Sequence, residues 1–140
     1  MLEINELRKI LPQDYPFLMI DKVVAYEKDK SLTAVKLITG NEWVFEGRDT
    51  VCDYFPETLI VEAAAQAALA FYCLNTSQKG NIFLGTVKAE FHEQVNVGDQ
   101  IQCSVLGGRV LKQGGYMDVG VTKENLSIAD VQVFYGLKSS

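Results

Sequence analysis

The stretch Thr58–Asn75, TLIVEAAAQAALAFYCLN, is apolar on every side and carries one formal charge, Glu62. Alanine and leucine dominate it, Pro56 and Glu57 stand at its start, and the segment NTSQKGN ends it, which is the punctuation of a helix. A helix that is apolar all round must be covered on nearly every side, and a sheet curved around it supplies that cover. Glu62 then poses the chemical question. An ionised carboxylate left unpaired among apolar groups is costly, so it is neutralised, paired or given a task.

Working outward, residues 4 to 10 form a short helix stopped by Pro12. FLMIDKVVAY (17–26) and LTAVKLIT (32–39) read as two strands around the polar turn EKDKS. GNEWVFEGRDTVCDYFPE (40–57) has no sustained period and reads as a long loop with a helical turn, a length that in compact domains tends to be functional. After the helix, NIFLGTVKAEFHEQV (81–95) places Phe83, Gly85, Val87, Ala89 and Phe91 on one face, with Thr86, Lys88, Glu90 and His92 on the other. IQCSVLGGRVLK, YMDVGVTKE and IADVQVFYGLK follow, joined by short Gly/Asn turns, so these four strands are expected to form an antiparallel meander. The expectation is an α+β domain over residues 1–140, a curved antiparallel sheet wrapped around one long buried helix.

Composition narrows the function. A net charge of −5 gives no basic footprint for nucleic acid, and docking of an acidic carrier protein would need a local basic patch. Cys52, Cys73 and Cys103 are widely spaced, with no CxxC or His/Cys cluster, so free thiols in a reducing cytoplasm are expected and no metal. The start MLEINELRKILP lacks the apolar centre of a signal peptide, and Glu62 and Gln66 argue for a buried helix over a membrane span. No nicotinamide or flavin motif is present, so no cofactor is expected.

LPQDYPFLMIDKV, NEWVFEG, LIVEAAAQAA and FHEQVNVGDQI resemble the corresponding segments of the FabZ-type 3-hydroxyacyl-acyl-carrier-protein dehydratases, from about Ile4 to about Lys138. The resemblance implies a hot-dog fold and a dimer, or a trimer of dimers, with the active site at the dimer interface. In that family a loop histidine of one subunit removes the proton alpha to the thioester. A helix glutamate of the other assists loss of the 3-hydroxyl as water, and the helix N-terminus offers an N–H to the thioester oxygen. Glu62 matches the glutamate and Gln66 its usual neighbour; Phe45, Gly47, Glu57, Thr58, Tyr15 and Phe17 fall where substrate contacts are implied.

The departures are as informative. Where the family has Gly-His-Phe-Pro-Gly, this chain reads Gly47-Arg48-Asp49-Thr50-Val51, so Arg48 stands in the place of the base. Arginine stays protonated and is no general base. It can contact the substrate or the oxyanion, pair with Glu62 from the partner chain, or lie solvated in the loop. Pro56-Glu57 replaces the family's Pro-Gly at the helix start, and Gln13 replaces an early histidine. Asp49, Cys52 and Asp53 are the substitutes for the base within the loop, although no local group would activate the Cys52 thiol. His92, the one histidine, falls in the third-strand segment and reads as a solvated strand-end residue. Tyr15, Pro16 and Phe17 read as a rigid turn on the core or a substrate contact; Ala63, Ala64 and Ala67 as core that leaves room for an acyl chain. Lys88, Arg109 and Lys112 read as solvated strand charges or as a dock for an acidic carrier.

Three functions follow: a dehydratase or hydratase of acyl thioesters on carrier protein or coenzyme A, an acyl-thioester hydrolase built on Glu62, and a non-catalytic acyl-binding subunit. The last would pair with a catalytic paralogue that brings the missing histidine.

Overall fold

A computed structural model describes residues 1–14, 16–45, 54–76, 82–111 and 114–137. In chain order the elements are α1 (Ile4–Ile10), β1 (Lys22–Glu27), β2 (Ser31–Leu37), a 3-10 turn (Trp43–Phe45), α2 (Glu57–Thr76), β3 (Ile82–Phe91), β4 (Gln100–Leu111), β5 (Gly114–Lys123) and β6 (Leu126–Leu137). The strands form one antiparallel sheet of six in the order β1-β2-β4-β5-β6-β3.

The apolar stretch is one helix, as its composition requires, with Ile60 and every residue from Ala63 to Cys73 buried. It packs against β2, β4, β5 and β6. Its alanines let the strands approach closely, and the inward phase of each strand fills the space between: Leu32 and Ala34, Ile101 and Cys103, Met117 and Val119, Val131 and Val133. Each large apolar side chain buried in this way contributes about 1.5–3 kcal/mol relative to exposure. By length and hydropathy α2 could cross a membrane, yet most of it is buried inside the fold.

The expected four-strand meander is not what forms. β4, β5 and β6 follow one another, but β3 pairs with β6 at the far edge, Lys88 opposite Gln132 and Glu90 opposite Asp130. The NVGDQ segment is therefore no hairpin; the connection from His92 to Asp99 carries the chain across the end of the sheet to β4, beside β2. The physical reason is coverage, since strands from both ends of the chain must wrap a helix that is apolar all round. β3 also breaks its expected alternation. A register shift between Leu84 and Thr86 forms a bulge at Gly85, and Phe83, Leu84, Val87 and Phe91 are all exposed.

β1 is shorter than its sequence pattern, because Phe17–Asp21 lies outside any strand. The β5–β6 turn is tighter than the NLS signal implied. Lys123 pairs with Leu126, leaving Glu124 (φ 49°) and Asn125 (φ 68°) as a two-residue loop, both left-handed as such a hairpin demands.

Candidate active site

Glu62 lies in the second turn of α2, half-buried where the fully buried stretch begins. One turn on, Gln66 is 0% exposed. Its Nε2 donates to Glu62 Oε1 at 2.8 Å and to the Phe17 carbonyl, and its Oε1 accepts the Met19 N–H at 2.6 Å. The glutamine thus does two things: it pins the Phe17–Met19 segment to the helix and fixes one oxygen of the carboxylate. That segment can be neither strand nor free loop, which is why β1 begins later than its composition indicates. The electrostatic reach of Glu62 is felt at Tyr135. Burial, then the nearby Glu62 charge, drive that phenol's pKa far up, and its hydroxyl donates to the Ala65 carbonyl.

An aromatic pair is linked to this carboxylate through the Gln66 amide, which the Phe17 carbonyl and Glu62 share. Phe17 (53% exposed) meets Trp43 (39% exposed) edge to face, with centroids 5.8 Å apart, and the Trp43 indole N–H donates to the Pro16 carbonyl at 3.1 Å. Phe45 contacts Phe55 in turn, at 6.4 Å between centroids. Trp43 was not among the residues singled out from sequence, and neither was Lys36, which is 6% exposed and forms an ion pair with Glu42 at 2.8 Å. A signal for Lys36 did exist: in SLTAVKL the inward set is Leu32, Ala34, Lys36, so the register places it inside.

The other expected site residues are placed as follows. Glu57 and Thr58 are exposed, and Glu57 lines an open cleft of about 480 Å³ with Phe91, His92 and Gln94, away from the Gln66 amide. His92 lies just past β3, and its Nε2 is 3.0 Å from Asp130 Oδ2, so within this chain it faces that acid and not Glu62. Lys88 lines a recess of about 380 Å³ on the outer face of the sheet with Leu106, Asp118 and Gln132. Arg109 is exposed in β4. Tyr15, Gly47, Arg48, Asp49, Cys52, Asp53 and Lys112 lie outside the described residues. Cys73 and Cys103 are free thiols, pushed by burial up to about 11 and about 12 respectively, which makes them poor nucleophiles. Among the described residues no cluster of His, Cys, Asp or Glu could hold a metal ion.

A sheet wrapped around a helix that offers one held carboxylate near its N-terminal end defines a hot-dog protein. The family model for the FabA-like domain matches residues 11–135. The chain is 33% identical over 142 residues, covering 98% of it and 96% of the relative, to a 3-hydroxyacyl-[acyl-carrier-protein] dehydratase FabZ of Listeria welshimeri. It is 32% identical over 136 residues to the FabZ of Clostridium botulinum, covering 96% of this chain and 94% of that protein. It belongs to the FabA-like domain family as a divergent member of FabZ type. Among solved structures the dehydratase heterocomplex ApeI:P from Xenorhabdus doucetiae superposes with TM-score 0.79 at 9% identity, covering 96% of this chain and 91% of that one. An HP0420-homologue from Helicobacter felis gives 0.73 at 14%, with 98% and 90% covered. At such identities the likeness is one of fold.

Proposed function

We propose that this chain acts on 3-hydroxyacyl or 2-enoyl thioesters, carried on acyl carrier protein or coenzyme A, in the manner of a FabZ-type dehydratase. The observation that carries the reading is the Glu62 carboxylate held by a fully buried Gln66. A carboxyl so placed serves as the acid that protonates the departing 3-hydroxyl, while a base takes the proton alpha to the thioester; water leaves and the double bond forms. Gln66 positions this acid, its amide being engaged by protein partners, and Thr58, one turn before Glu62, faces the same side of α2. Phe17 and Phe45 would line the way in, and Arg48 would contact the thioester oxygen or the partner's carboxylate. The chain would work in the cytoplasm as a dimer or a trimer of dimers, seamed along β3. At that edge Phe83, Leu84, Val87 and Phe91 are exposed, and no described strand pairs with the outer side.

A second reading makes the chain the partner subunit of a histidine-bearing paralogue. It is favoured by the engagement of His92 with Asp130, which leaves no histidine of this chain to face its own Glu62. The test is a product analysis by mass spectrometry of the pure protein with a 3-hydroxyacyl thioester and with its trans-2-enoyl counterpart, beside Glu62→Gln. Interconversion lost in the variant is expected, and free thiol instead would make the protein a hydrolase. Unchanged substrate overturns the self-sufficient enzyme, and adding a histidine-bearing FabZ-type chain then decides for the heteromer.

A further inference from the structure

Lys36 is the one buried lysine among the described residues, and it touches both ends of the loop that leads from β2 to α2. At the outgoing end its ammonium is 2.8 Å from Glu42 Oε1. The other oxygen of Glu42 accepts the Thr39 N–H at 3.1 Å, and the Glu42 carbonyl accepts the Phe45 N–H at 3.0 Å, so this residue starts the 3-10 turn. At the returning end the ammonium lies 5.7 Å from the centroid of the Phe55 ring, within cation–π range. Phe55 is itself tied by its N–H to the Val95 carbonyl at 2.7 Å and by its ring to Phe45.

From that anchor a continuous set of contacts reaches the carboxylate. The Glu42 carbonyl closes the turn that carries Trp43 by accepting the Phe45 N–H; Trp43 packs on Phe17 and bonds to Pro16; the Phe17 carbonyl shares the Gln66 amide with Glu62. We propose that Lys36 is a positioning residue of the site, holding in place the Trp43–Phe17 wall that is linked to Glu62 through the Gln66 amide. The inference rests on the reading of Glu62 as the reacting acid, but the wall itself can be tested without turnover. Trp43 is the only tryptophan of the chain, so its fluorescence reports the wall alone.

The experiment compares acrylamide quenching of Trp43 in the full chain and in Lys36→Met, Glu42→Gln and the double Lys36→Met/Glu42→Met, with circular dichroism and thermal melts alongside. Each single variant should raise the quenching constant by about twofold or more, as the turn loosens. The double variant removes the unpaired buried charge and should recover stability, yet it should keep the raised quenching, which a purely structural ion pair would not. With the thioester substrates Glu42→Gln should lower kcat on the order of tenfold or more and raise KM by a smaller factor, because the acid is misplaced and the loosened wall includes Phe17, which lines the way in. Unaltered quenching in the folded variants, or a return of quenching to the wild-type value in the double, overturns the proposal. If Lys36→Met does not fold, Glu42→Gln and the double variant decide it. A wild-type protein without turnover overturns the dehydratase reading alone, and the quenching result still decides the role of Lys36.

Discussion

A glutamine amide has two donor hydrogens and an acceptor oxygen, and at position 66 protein partners occupy both donors and the acceptor. No other side chain of that length does the same. Gln66→Leu leaves the buried Met19 N–H without a partner, at roughly 1–3 kcal/mol, and the part-buried Phe17 carbonyl without one at a smaller cost. Gln66→Glu should be worse, since a carboxylate would face both the Phe17 carbonyl and Glu62. Urea melts of the two variants should rank them wild type, Leu, Glu in falling stability. Activity should fall further than stability, because Glu62 loses its hold. That positions 62 and 66 interrupt an apolar helix was legible in sequence, as a lone charge and an amide. The partners were not: Met19 and Phe17 offer backbone groups, and a backbone bond over a separation of 47 residues leaves no mark on composition.

At the scale of elements, β2 and the loop after it depend on one buried pair. Removing one charge strands the other, so Lys36→Met alone should cost about 3–5 kcal/mol, read from a chemical denaturation curve. The start of β5, where it pairs with β6, is equally intolerant. Gly114 sits at φ 150°, and a Cβ there would come 2.1 Å from the Tyr135 carbonyl oxygen. Gly114→Ala should therefore lower the melting temperature clearly, with backbone strain of about 1–3 kcal/mol before any clash is counted. Elements marked by their own composition were readable in advance: α2 from its continuous apolar content, β5 and β6 as runs bounded by short Gly/Asn turns. β3 was readable as a strand but not in its place, because the Gly85 bulge breaks the period, and an edge position is set by what the rest of the sheet leaves uncovered.

For the whole molecule, pH acts through buried acids that are neutral when protonated. Burial raises Cys73 to about 11 and Cys103 to about 12 from an ordinary 9.0, and Tyr135 is raised as well. A group with a raised folded pKa contributes its stability in full below the unfolded pKa and loses it as pH climbs to the folded value. Stability should hold up to about pH 9 and then fall through pH 11–12, which denaturant melts across that range will check; Cys103→Ala should flatten the fall. The proposed seam is tested at the same scale. Val87→Lys, on the exposed edge strand, should shift sedimentation toward the monomer with little change in the circular dichroism of the fold. The pairing of β3 with β6 also governs how the chain is born. During synthesis β3 leaves the ribosome well before its partner, at about 5–20 residues per second. Until the last strand emerges, the nascent sheet has nowhere to put an apolar edge. Closure of this sheet waits for β6, and a ribosome that pauses between β3 and β6 holds its product in the state most exposed to chaperones and to aggregation.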